Sequence, residues 1–159
     1  ILSMFFTNNT NNNNYNTPIN AWKDILQFIN KEEKIWLPFY NDGKAKKLLN
    51  DLNFNNVVHI NKDFFSYDIS DALIIDNPPY SIKQKIINKL YGGRSFSLLL
   101  PLNTLGRKYM KKYLDGFQLV IPSYRYNYKE GKKSIPFKSC WFCWNLQHKL
   151  GSNEKIIWL

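Results

Sequence analysis

Cysteine, glycine and acidic side chains are all scarce in this sequence. The two cysteines, Cys140 and Cys143, both lie in the stretch SCWFCWNL. A Cys-x-x-Cys pair can be a redox or zinc site. This pair falls in an apolar, aromatic run whose strand-like alternation puts the two thiols on opposite faces, and no second pair exists to complete a zinc site. The expectation is two buried free thiols in a reducing, intracellular compartment (cytoplasm or a viral replication site), and no metal. No apolar run reaches the length of a membrane span, and no cleavable leader is evident, so no membrane partner is expected. Internal repeats are absent. Glycine, with 7 residues, forms no glycine-rich loop. Acids number 12 against 22 lysines and arginines, a formal charge of +10. That excess favours a polyanionic partner, DNA or RNA. A lysine-rich solubilising surface is the alternative, and heavy use of Asn, Lys and Ile fits an AT-rich gene.

What is present divides at Thr17. Residues 1–16 hold the low-complexity tract TNNTNNNNYN, which reads as a flexible arm. Residues 17–159 read as one domain with room for a core. Thr17 can cap a helix that starts at Pro18, with Ile19, Trp22, Ile25, Leu26 and Ile29 as its apolar stripe. Strands are expected at KIWLPFY, NVVHI, DALIID, SFSLLLP, FQLVIPS and SCWFCWNL, with KIIWL as a short last one. NDGKAKKLLNDLNF reads as a turn followed by a helix, and helices are expected at SIKQKIINKLY and TLGRKYMKKYLDG, the last basic and amphipathic. Alternating strands and helices imply an α/β, three-layer fold on a mostly parallel sheet. The final consecutive strands imply an antiparallel hairpin on one edge.

The stretch DALIIDNPPY, Asp71 to Tyr80, carries the chemistry. Ala72 to Ile75 suits a strand covered on both faces, and Pro78 and Pro79 exclude a helical continuation. The result is a stiff elbow with free carbonyls past the carboxyl end of a strand, where open α/β sheets bind ligands. An exocyclic amine on a base, or an amide nitrogen, is a poor nucleophile because its lone pair is delocalised. The Asn77 oxygen and the Pro78 carbonyl can accept from its two N–H groups and help localise that pair. Pro79 stiffens the elbow, and Tyr80 can stack on a flat substrate. Methyl transfer is then an in-line displacement in which positioning does most of the work.

Asn77-Pro78-Pro79-Tyr80 at a strand end resembles the catalytic motif of S-adenosylmethionine-dependent amino-methyltransferases, and the order of motifs resembles that of the gamma-type N6-adenine enzymes. The resemblance runs from Thr17 to about Leu146 and implies a Rossmann-like methyltransferase fold with S-adenosylmethionine as cofactor. WLPFYNDG resembles the cofactor loop of that family, with Pro38, Phe39 and Gly43 kept, Leu37 where an acid is usual and Asn41 where the first glycine is usual. Asp42 is a candidate replacement for the acid. Asn61 stands where a ribose-binding acid is usual. Asp63 would accept from the cofactor's adenine amino group, Phe64 would cover its face, and Asn77 would border the methyl donor. Thr17-Pro18 resembles the upstream motif that contacts the cofactor carboxylate.

For the substrate strand, PSYRYNYKEGKK mixes tyrosines with Arg125, Lys129, Lys132 and Lys133, offering stacking surfaces and phosphate partners. Lys108, Lys111 and Lys112 would widen that basic face. The chain is too short for a separate target-recognition domain, so target choice would fall to loops, a homodimer or a heteromeric partner. A small lone domain of this kind suits a viral, phage or mobile-element enzyme. The expected activity is methylation of an exocyclic base amine, adenine N6 of DNA first. The alternatives are an N5-glutamine protein methyltransferase, and a degenerate methyltransferase fold that binds nucleic acid or supports a partner.

Overall fold

The computed structural model describes residues 16–128 and 137–159. The expected N-terminal arm therefore lies outside the described residues, apart from Asn16. The chain is α/β. In order, it forms α1 (Ile19–Leu26), β1 (Ile35–Trp36), α2 (Ala45–Asp51), β2 (Val57–Val58), β3 (Leu73–Asp76), α3 (Lys83–Leu90), β4 (Phe96–Pro101), β5 (Phe117–Ile121), β6 (Ser139–Trp144), α4 (Gln147–Leu150) and β7 (Ile156–Trp158). Short 3₁₀ turns cover Phe64–Ser66, Tyr80–Ile82, Leu102–Gly106 and Lys108–Lys112.

One seven-stranded sheet runs in the order β2-β1-β3-β4-β6-β5-β7. β2, β1, β3 and β4 are mutually parallel, β5 and β7 are parallel, and β6 runs antiparallel between β4 and β5. The expected antiparallel pairing of the last two long strands is present, but not on the edge. β6 is inserted in the sheet interior, all six of its residues are buried, and β7 takes the edge. Strand order also reverses after β1. The chain goes to β2 on one side of β1 and returns to β3 on the other, which creates a crevice between the carboxyl ends of β1 and β3.

Period-two alternation explains the three layers. On one face Ile35, Leu37, Leu73, Ile75, Leu99, Val120, Trp141 and Cys143 pack with Trp22, Ile25, Leu49 and Leu150 from α1, α2 and α4. On the other, Trp36, Ile74, Phe96, Leu98, Leu100, Phe142 and Trp144 pack with Ile86, Ile87 and Leu90 of α3 and with Met110 and Tyr113. Cys140 and Cys143 lie in different cores, as alternation requires. Both are free and buried, and burial pushes their thiols up to about 11 and about 12. They stay protonated and inert near neutral pH.

Two local expectations are corrected. α1 begins with Pro18 as its cap residue and no side-chain cap, so Thr17 does not close the helix. Its hydroxyl instead meets Asn77. Ile19 is exposed, while Trp22, Ile25, Leu26 and Ile29 are buried. The basic helix expected after β4 is two 3₁₀ turns separated by an extended Arg107, φ −71° and ψ 137°. A three-residue repeat eclipses positions i and i+3, which brings Met110 and Tyr113 to one face and into the core.

Candidate active site

Because β1, β2 and β3 are parallel and adjacent, the turns leaving them meet at one edge of the sheet. The turn after β3 is the Asn-Pro-Pro-Tyr elbow. Asp76, the last residue of β3, is 3% exposed. One of its carboxyl oxygens accepts from the Phe39 N–H at 2.8 Å and the other from the Asn77 N–H at 2.8 Å. It thus ties the turn after β1 to the elbow across the crevice. Burial overrides those two hydrogen bonds and pushes its pKa up to about 8. No ion pair among the described residues involves it. Asp76 escaped the sequence reading because it looked like the polar end of a strand. The available signal was an acid directly after four apolar residues at the end of a central strand.

Asn77 donates from Nδ2 to Thr17 Oγ1 at 2.9 Å. That bond crosses from the residue before α1 to the end of β3 and fixes the amide plane. Its Oδ1 is buried and has no hydrogen-bond partner among the described residues. Pro78 is buried and Pro79, with φ −61° and ψ 122°, sets up the 3₁₀ turn that begins at Tyr80. The Pro78 carbonyl accepts no backbone hydrogen bond among the described residues. The Tyr80 ring is half-buried and meets Phe137 edge-on, centroids 5.8 Å apart. A buried acceptor without a donor costs about 1–3 kcal/mol, and such a cost is offset when a ligand N–H arrives.

A family-model scan finds no match, and no curated protein matches the sequence.

The turn after β1 is built differently from the resemblance in several respects. Leu37 is fully buried in the core beneath α1 and α2, so no side chain at that position reaches the crevice. Pro38 is buried beside it. Asn41 occupies the left-handed region, φ 50°, which asparagine tolerates better than most residues, and this explains how it stands in for a glycine. Asp42 Oδ1 accepts from the Lys44 N–H at 3.1 Å, and its carboxylate pairs with the Lys44 ammonium at 3.5 Å, so Asp42 is engaged locally. Gly43 also has positive φ, 77°, and the Tyr40 hydroxyl lies 2.6 Å from where a Cβ would stand. Gly43→Ala therefore forces both a strained backbone and a displaced Tyr40. A loss of roughly 2 kcal/mol is expected, to be read as a lower urea midpoint.

After β2 the structure reveals a residue that sequence reasoning passed over. His59 Nδ1 donates to the Leu37 carbonyl at 2.8 Å. Its Nε2 is buried without a partner among the described residues, and burial lowers its pKa, keeping the ring neutral. Tyr40 stacks on it at 4.8 Å. The signal was a histidine immediately past a strand, at the carboxyl edge of the sheet. Asn61, expected near a ribose, is exposed. Asp63 Oδ1 accepts from the Phe65 N–H at 3.1 Å and so starts the 3₁₀ turn. Phe64, expected to cover an adenine, is fully buried. Phe39 and Trp36 pack against it, and the Lys89 ammonium lies 4.2 Å above its ring. Phe65 is the exposed ring of the pair.

The expected nucleic-acid loop also changes character. Tyr126 and Tyr128 are buried in the first core, the former donating to Asp24 at 2.5 Å, which leaves Tyr124 as the exposed ring of the three. Arg125 is exposed. Lys129, Lys132 and Lys133 lie outside the described residues.

Proposed function

We propose that this chain has a Rossmann-like methyltransferase fold and is an S-adenosylmethionine-dependent N-methyltransferase acting on an exocyclic amine of a nucleic-acid base, adenine N6 of DNA first. The observation that carries the reading is the buried Asn77 Oδ1, without a partner among the described residues and followed by the Pro78 carbonyl, at the switch point of the sheet. Two oxygens there suit an amine with two N–H groups, and the Tyr80 ring, two residues on, would cover a flat base. Sheet order supports the fold, with an antiparallel strand inserted between two parallel ones and the crevice between β1 and β3.

Two side chains support the proposed cofactor. His59 Nε2, without a partner among the described residues, would accept from a hydroxyl, and Asp63 retains a second carboxyl oxygen for a base amine. Thr17 holds Asn77 in register. When bound, S-adenosylmethionine supplies a methyl group on a sulfonium for in-line displacement. The chain's own part is to grip the amine through Asn77 and Pro78, localise its lone pair, and exclude water with Tyr80. A pre-positioned acceptor of this kind is worth roughly 10²–10³ in rate.

A second reading, a degenerate fold that binds without transferring, is favoured by the buried Leu37, the locally paired Asp42 and the Tyr40 ring over Gly43. Calorimetric titration with S-adenosylhomocysteine, followed by labelled methyl transfer to adenine-containing DNA and RNA, separates the two. One-to-one binding with label in adenine is the expected result. Absence of binding at millimolar ligand refutes the catalytic reading.

A further inference from the structure

A groove of about 680 Å³ opens beside the catalytic elbow, lined by Gln84, Arg107, Lys108, Tyr109, Lys111 and Lys112. Four cations face it, and among the described residues no acidic side chain lines it. None of the four takes part in an ion pair among the described residues. The Tyr109 hydroxyl is buried and has no partner there either, and burial raises its pKa, so it remains a proton donor. Lys83 lies between Gln84 of the groove and the elbow in sequence. Its ammonium donates to the Tyr80 carbonyl at 3.2 Å, and its pKa is lowered by burial and then by the charge of Arg107. Lys83 thus neighbours both Arg107 of the groove and the backbone of the residue that would cover the base.

Concentrated positive charge with an unsatisfied neutral donor matches the phosphodiester, which offers one negative charge and several acceptor oxygens per nucleotide. Burial of the apolar neighbours exposes this surface. With Met110 and Tyr113 turned into the core, Lys108, Lys111 and Lys112 are left on the outside.

We propose that this groove, rather than the Arg125 segment, is the phosphate track for the strand that carries the target base; the proposal rests on the methyltransferase reading for the identity of that strand. The test is salt-dependent binding of a labelled single-stranded DNA by the full chain, with inorganic phosphate and heparin as competitors. Lys108→Gln, Lys111→Gln and Lys112→Gln combined should weaken binding by roughly tenfold or more. The same triple variant should flatten the log–log salt slope by about two, since each phosphate that is no longer neutralised lowers the slope by about 0.7. Tyr109→Phe should weaken binding a few-fold with the slope unchanged, since it removes a neutral donor. The Arg125→Gln variant should change the slope by less than about one. Unchanged affinity and slope in the triple variant overturn the proposal, as does a larger loss from Arg125→Gln. Competition by heparin but not by millimolar phosphate supports a polymer track, and equal competition by phosphate overturns it. Groove-dependent DNA binding without S-adenosylhomocysteine binding keeps the track and refutes the enzyme. Cofactor binding without DNA binding refutes the track alone.

Discussion

Asn77→Ala is expected to lower methyl transfer by at least about 10²–10³-fold, while affinity for S-adenosylhomocysteine changes by less than about threefold. The split follows from the geometry. Asn77 Oδ1 is a buried acceptor without a donor among the described residues, and under the methyltransferase reading its removal takes away a pre-positioned hydrogen bond to the reacting amine. The same amide's Nδ2 is engaged with Thr17, so Thr17→Ala should reproduce part of the rate loss by freeing the amide to rotate. Single-turnover transfer measured with saturating cofactor reads the effect directly. Wild-type turnover in Asn77→Ala would remove the elbow from catalysis.

Asp76→Asn is expected to invert its effect on stability with pH. The native carboxyl accepts two backbone N–H groups. An amide has one oxygen, so its NH₂ must face either the Phe39 or the Asn77 N–H. Near pH 5.5 the variant should therefore be less stable by about 1–3 kcal/mol. The folded-state pKa of Asp76 is raised to about 8 from 3.8. The folded chain binds the proton more tightly than the unfolded chain, so the contribution of Asp76 is fully present below about pH 4 and is lost as pH rises through about 8. A tenfold difference in proton affinity between the two states is worth about 1.4 kcal/mol, so the native chain loses a few kcal/mol over that window and the uncharged variant does not. The difference in melting temperature between the two should move in the variant's favour by roughly 10 °C between pH 5.5 and 8.5. Parallel melting profiles across that range would show that Asp76 is ionised throughout.

Strand positions, the parallel sheet and the split of the two cysteines between faces were legible because apolar runs and period-two alternation are local. The elbow from Asn77 to Tyr80 was legible as a turn because a diproline after a buried strand has few structural outcomes. Asp76 and His59 were not. Their importance lies in which oxygen or nitrogen is left without a partner, and that depends on Phe39 and Leu37, which are distant in sequence. Phe64 reads equally well as a ring for a ligand or for the core, and Trp36, Phe39 and Lys89 decide the matter. The insertion of β6 was illegible for a related reason, since two consecutive strands pair in the same way whether or not a third strand lies beyond them. The two 3₁₀ turns after β4 carry a helical apolar spacing at Met110 and Tyr113, and a spacing of three does not separate the two helix types.

The buried position of β6 has a consequence for how the chain reaches this state. β4 finds its second neighbour, β6, far along the sequence; Pro101 pairs with Ser139 and Phe96 with Trp144. Until that segment docks, FSLLLP is an open, mostly apolar edge, the kind of edge that recruits other chains. β5 cannot substitute, because it bonds to the far side of β6. Sheet closure is thus a single late event of high contact order. During synthesis the β4 edge stays a template for misassembly until Ser139–Trp144 leaves the ribosome, which makes chaperone protection most valuable over that interval.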